Sequence, residues 1–213
     1  MYKPLTNRTL KAACRSLSEG DPHLRVVFAR YGPPPLWDRE PGFATLLQII
    51  LEQQVSLASA KACYDKLTVR VGLVSPESVL SLNDAELRSI GFSRQKTAYA
   101  RHLSEAIINR STDLNNLHLL HDAEVKAELT KLKGIGEWTS DIYLLMALLR
   151  PDVMPKGDIA LHAAWQSLSG EPRPTSDDFI IIAERWRPFR STAARLLWHF
   201  YLSEKRSLAQ ARA

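Results

Sequence analysis

Apolar residues recur along most of the chain at helical rather than alternating spacing. Phe43, Leu46, Leu47, Ile50 and Gln54 fall at i, i+3, i+4, i+7 and i+11, one face of a helix. Val125, Leu129 and Leu132 make a shorter stripe, and Trp138, Ile142, Leu145 and Leu149 continue it in the next segment. Leu161, Trp165 and Leu168 form another, followed by Phe179, Ile182, Ala183 and Trp186. Tyr99, Leu103 and Ala106 share a face downstream of Ser93. From Ala193 to Ser203 the chain is apolar almost all round, which predicts a central buried helix.

Polar positions punctuate this pattern. Ser75-Pro76 reads as an N-cap followed by proline at the first helical position. Asn83 or Asp84, Ser93, Asp122 and Thr175 are further candidate caps, because their side-chain oxygens can accept from the free amides of a first turn. There is no good alternating strand and no Asn-Gly hairpin; the one β-leaning run, Val26-Val27-Phe28, is short. Residues 32–41, with four prolines, predict a rigid connector. An all-α fold follows, with an N-terminal helical arm over 1–40. A central helical lobe over 41–150 and a C-terminal helical lobe over 151–213 complete it.

With 213 residues, 45% of them hydrophobic, the chain can bury the core of one large domain or two small lobes. No apolar stretch is long enough to span a bilayer, and Met1 to Leu10 lacks the apolar run of a signal peptide, so a soluble, unexported protein is expected. The net charge of +5 suits a polyanionic partner without selecting one. Two cysteines, Cys14 and Cys63, cannot by themselves supply a four-thiolate metal or iron–sulfur site. Each reads as a small core residue in a reducing compartment.

Leu129 to Leu161 is the most informative stretch. It opens Leu-Thr-Lys-Leu-Lys-Gly-Ile-Gly-Glu-Trp-Thr-Ser, a helix, a Gly-x-Gly turn and a second helix. The glycines permit a tight turn and close backbone approach, and the second helix starts with outward N–H groups suited to a phosphate. Lys131 and Lys133 add positive charge beside it. A bare Gly-x-Gly would favour an ordinary helical hairpin with a glycine cap. The whole string matches the helix-hairpin-helix signature, in which hairpin amides grip a DNA phosphate without reading sequence. About twenty residues later Asp158 stands at the start of a predicted helix. Alone it would read as an N-cap; downstream of such a hairpin it reads as a catalytic carboxylate.

Together these two elements resemble the helix-hairpin-helix (HhH-GPD) DNA glycosylase superfamily, and most closely its DNA-3-methyladenine glycosylase II branch. Ile49 to Ser56, Gly91 to Lys96 and Trp186 to Ser191 through Trp198 are similar to that branch, so the resemblance covers roughly residues 33–203. It implies a compact two-lobed helical fold in which the N-terminal arm packs with the C-terminal lobe, the helix-hairpin-helix occupies about 123–150 and the active-site cleft lies between the lobes. It further implies a monofunctional glycosylase of base excision repair that removes N-alkylated purines, such as 3-methyladenine and 7-methylguanine, from double-stranded DNA. Asp158 is then the catalytic residue. Trp138 and Trp198 match aromatic positions of the base pocket, with Tyr143 and Phe43 as weaker candidates. Gly134, Ile135, Gly136 and Thr139 carry the hairpin grip. Gln54, or its neighbour Gln53, matches the loop residue that wedges into the duplex. Arg94, Lys96, Lys133 and Arg190 are candidate phosphate contacts.

Trp138 occupies the position where strand-cutting relatives carry a lysine, so the base should leave and the strand stay intact. No iron–sulfur cluster is implied, whereas similar proteins hold a monovalent cation at the hairpin carbonyls. The extra N-terminal β-containing lobe of longer bacterial members does not fit upstream of residue 33. A monomer is expected, in the cytoplasm with the nucleoid or in the nucleus according to the host.

The chemistry fits these residue types. Alkylation at N3 or N7 makes the purine cationic and a good leaving group, so little general-acid help is needed. The site must stabilise positive charge developing on the sugar, which a carboxylate in a dry pocket does electrostatically while it orients water. A helix N-terminus favours the anion there. The base must leave the stack, and aromatic faces hold a cationic base well.

The residues leave other readings open. Trp138 and Trp198 also fit apolar core positions, and Gln54 fits a solvent-facing or backbone-capping helix end. Each single cation fits a solvated surface, and His162, one turn from Asp158, fits a structural role. A DNA-structure-binding protein of the same fold, or a glycosylase for another damaged base, remains open as well.

Overall fold

The computed structural model describes residues 3–210. In chain order the helices are α1 (Asn7–Gly20), α2 (Pro22–Tyr31), α3 (Phe43–Glu52), α4 (Leu57–Val71), α5 (Pro76–Leu80), α6 (Asp84–Ser89), α7 (Arg94–Ile108), α8 (Asp122–Thr130), α9 (Glu137–Met146), α10 (Ile159–Ser169), α11 (Ser176–Ala183) and α12 (Arg190–Gln210). Single 3-10 turns occupy Leu117–Leu119 and Glu184–Trp186. No strand occurs among the described residues, and no helix there is long and apolar enough to cross a membrane.

Short polar side chains start many of these helices. Ser75, Asn83, Ser93 and Thr175 each accept from the amide three residues on, opening α5, α6, α7 and α11. Asp122 is not a cap. It is the first residue of α8, and His121 precedes it, with its amide donating to Glu124 at 2.8 Å. Val26-Val27-Phe28 lies inside α2, where the cap of Asp21 and proline at the first position outweigh three β-leaning residues. The two long stripes also end early. Gln54 lies beyond α3 with φ 57°, and Leu149 lies beyond α9 with φ 53°.

The chain forms two compact units. One runs up to Asp38 and resumes at Leu149; the other is the continuous stretch Arg39–Leu148.

In the first unit α12 is the centre, packed by α1, α2 and α10. Every residue from Ser191 to Trp198 is buried, as the apolar run predicts, yet Arg195 in its middle is also buried completely. Its guanidinium donates to the Leu36 carbonyl at 2.7 Å and the Ser191 carbonyl at 3.1 Å. Burial lowers its pKa to about 10, opposed by the charge of Asp38. The buried charge therefore pins the connector to α12. Trp165, Trp186 and Phe179 pack edge to face beside it. Asp21 caps α2 and takes the Trp186 indole N–H at 2.8 Å.

In the second unit α3 is the centre, packed by α4, α7 and α9. Seven of its ten residues are buried, so it is covered on more than one face. Each fully buried Leu or Ile contributes roughly 1.5–3 kcal/mol. Both ends of α3 are tied. The Tyr143 hydroxyl accepts from the Gly42 amide at 2.9 Å, and the Lys96 ammonium donates to the Leu51 carbonyl at 2.5 Å.

Candidate active site

The loop Pro151–Gly157 ends at Asp158, which caps α10. Its Oδ1 accepts from the Ala160 and Leu161 amides, both at 3.0 Å. The indole N–H of Trp198 reaches the same oxygen at 3.2 Å. Asp158 is 8% exposed, so these donors act in a site largely shielded from water, where they orient the carboxylate strongly. Trp198 meets Trp37 edge to face at 6.4 Å. His162, one turn along α10, is buried against Phe179, and its amide donates to the Asp158 carbonyl. Burial lowers the His162 pKa, helped by Arg173 and opposed by Asp158.

The second unit holds the hairpin. α8 and α9 pack together, joined by residues 131–136. Gly134 has φ 87°, and a Cβ there would run into the Tyr99 ring. Gly136 has φ −106°, and nothing lies within 4 Å of where its Cβ would be. It stands at the N-cap of α9 and brings no side chain to the first amides of that helix. The Gln53 amide nitrogen donates to the Gly134 carbonyl at 2.8 Å and the Thr139 hydroxyl at 2.9 Å. The Lys133 amide donates to the His102 ring at 3.3 Å.

A family model described as HhH-GPD superfamily base excision DNA repair protein matches residues 47–188. The chain belongs to that superfamily. Among HhH-GPD relatives it is 26% identical to the putative DNA-3-methyladenine glycosylase YfjP of Bacillus subtilis, over 82% of this chain and 64% of that one. It is 27% identical to DNA-3-methyladenine glycosylase 1 of Schizosaccharomyces pombe, over 85% of this chain and 82% of that one. A solved structure of the 3-methyladenine DNA glycosylase Mag1 from S. pombe, in complex with abasic DNA, superposes with a TM-score of 0.79 at 26% identity. It covers 88% of this chain and 95% of that one. The present chain thus spans just under two thirds of the Bacillus relative and nearly all of the crystallised yeast one.

Several residues expected at an HhH-GPD site have other tasks. Tyr143 is fully buried; burial pushes its pKa to about 12, and its hydroxyl holds the start of α3. Phe43 faces a recess of the second unit with Pro76, Ile107, Arg110 and Leu114. Thr139 is 2% exposed and serves Gln53, and the Ile135 side chain is buried, so neither side chain offers itself to DNA. Gln53 points inward to the hairpin, whereas Gln54 is exposed. Lys96 caps the end of α3, and Arg190 is bound to Asp152 and Glu184. Both cations are thus engaged within the protein. Arg94, Lys133 and the glycine backbone stay exposed or half-buried, as does Trp138 at the start of α9.

Sequence reasoning missed Tyr99 as the cover of Gly134 and Asp152 as the partner of Arg190. A glycine that must adopt positive φ signals the first; only the three-dimensional fold reveals the second.

Proposed function

We propose that this chain is a monofunctional DNA glycosylase that flips cationic N-alkylated purines, such as 3-methyladenine and 7-methylguanine, out of duplex DNA and hydrolyses their glycosidic bond. The observation that carries the reading is the buried Asp158 carboxylate, held by two helix amides and the Trp198 indole. A merely capping aspartate needs only the amides. The names of the yeast and Bacillus relatives support the choice of lesion.

In the reaction, the bond between C1′ and the purine nitrogen breaks with its electron pair going to the base, which neutralises the cation. Asp158 stabilises the positive charge left on the sugar and aligns water for C1′. Water adds there, its proton is lost to solvent, and an abasic site remains. Trp138, where a strand-cutting enzyme carries its amine nucleophile, offers an aromatic face to the base and no Schiff base to the sugar. Hydrolysis of so good a leaving group requires neither an iron–sulfur cluster nor a redox cofactor. The hairpin grips the backbone and Gln54, exposed in its loop, fills the vacated stack. The protein acts as a monomer wherever the host keeps its DNA.

The test is base release from methylated duplex DNA by wild type and Asp158→Asn, with strand integrity checked without alkali. Release by wild type alone on intact strands is expected. Tight binding with no release by either protein would reject the activity in favour of a DNA-structure-binding role or a glycosylase for another damaged base.

A further inference from the structure

Nothing regular supports the seven residues before Asp158, so the position of the carboxylate depends on what holds them. The start of α12 does so. The Ser191 amide donates to the Pro151 carbonyl at 3.2 Å, its hydroxyl accepts from the Val153 amide at 2.9 Å, and the same hydroxyl donates to the Val153 carbonyl at 3.2 Å. Arg190 does more. Its Nε donates to Asp152 Oδ1 at 2.9 Å, and its Nη2 donates to Oδ2 at 3.1 Å and to the Asp152 carbonyl at 2.9 Å. Its Nη1 donates to Glu184 Oε1 at 2.8 Å, and its backbone amide donates to Asp152 Oδ1 at 3.2 Å. The side chains of Arg190 and Asp152 are only 14% and 22% exposed. This is fork-to-fork pairing, a geometry that only a guanidinium supplies. About 12 Å further along the same helix, the Trp198 indole donates to Asp158 itself.

We propose that Arg190 and Asp152 form a positioning latch for the catalytic carboxylate, fixing the near end of its loop to α12 while Trp198 fixes the far end. Arg190 acts through Asp152 and touches neither DNA nor base. The proposal rests on Asp158 being the catalytic carboxylate. Misplacement by about 1 Å costs a reaction of this kind up to about a hundredfold, which sets the size of the effect.

The experiment measures single-turnover excision from methylated duplex and, separately, duplex affinity across a salt series. Its variants are Arg190→Gln, Arg190→Lys, Asp152→Asn and the double Arg190→Gln/Asp152→Asn, with Asp158→Asn in parallel. The latch predicts excision slower by about ten- to a hundredfold in both Arg190→Gln and Asp152→Asn. It predicts no further loss in the double variant, partial rescue by Arg190→Lys, and unchanged affinity and salt slope. A phosphate-binding arginine gives the opposite result: Arg190→Gln weakens binding and lowers the salt slope by about one, and Asp152→Asn leaves excision intact. That outcome overturns the latch. If Arg190→Gln does not melt cooperatively, Asp152→Asn decides, because full-rate excision in it also overturns the latch. Excision retained by Asp158→Asn instead removes the reading of Asp158, a result distinct from full-rate Arg190 variants beside a dead Asp158→Asn.

Discussion

The Trp198 indole N–H and the Asp158 carboxylate meet across 3.2 Å although 40 residues separate them in the chain. The indole thus orients an anion as well as packing, which a phenyl ring does not do. Trp198→Phe keeps most of the buried ring and loses the donor. A hydrogen bond to a charged group is worth about 1.5–3 kcal/mol, so single-turnover excision should slow by about tenfold or more while duplex affinity holds. Wild-type rate in this variant would mean that the two amides suffice.

Asp158 has a second task at the start of α10, and two substitutions separate it from the first. Asn caps a helix as well as Asp, so Asp158→Asn should lose excision, keep its melting temperature and keep DNA binding. Asp158→Ala should lose excision and also about 1 kcal/mol of stability. Equal melting temperatures for the two variants would show that the cap contributes nothing.

The hairpin glycines are expected to differ. Gly134→Ala drives a Cβ into the Tyr99 ring at φ 87°, so the melting temperature should fall by an amount equivalent to about 1–3 kcal/mol. Gly136→Ala meets no neighbour and should leave the melt unchanged. It should instead weaken binding to every DNA sequence alike, since a methyl group there blocks a backbone approach. A sequence-selective loss of affinity would contradict the phosphate grip.

Adjacent glutamines should likewise diverge. Gln53→Ala removes two bonds that brace the hairpin and should cost about 1–3 kcal/mol. Gln54→Gly relieves a left-handed backbone and should hold or raise the melting temperature while excision falls. Undiminished excision in Gln54→Gly would end its role as the wedge.

Two histidines set an acid limit. Burial lowers the pKa of His162 and of His199, with Arg173 and Arg206 adding to the respective shifts and Asp158 opposing the first. The native state therefore favours the neutral rings. Stability from this source is complete above the unfolded pKa of about 6.5 and is lost as pH falls through the lower folded values. The melting temperature should drop as pH falls below about 6.5, and by less in His162→Gln. An equal drop in that variant would assign the effect elsewhere.

Local signals made much of this molecule legible in the sequence. The caps at Ser75, Ser93 and Thr175, the Gly-x-Gly turn and the helix start at Asp158 each depend on residues two or three positions apart. What the sequence hid depends on distant partners. Lys96 looks like any surface cation until Leu51 is brought to it, and Arg190 looks like a phosphate ligand until Asp152 fills its fork. Tyr143 reads as a pocket aromatic in the sequence, and its burial and its hydroxyl bond to Gly42 show it facing inward. Periodicity distinguishes a buried face from an exposed one, but not a core tyrosine from a substrate-lining one.

Because α12 packs against α1 and α2, the first unit is assembled from the two ends of the chain, with all of Arg39–Leu148 between them. On a ribosome adding about 5–20 residues per second, α1 and α2 emerge roughly ten seconds or more before the helix they pack against. α1 and α2 can pack on each other at once, but the faces that α12 covers must wait, while the second unit has its whole sequence at hand and can fold first. Synthesis therefore passes through a stage in which the first unit lacks its central helix, and slow translation or a scarcity of chaperones should lower the yield of folded protein.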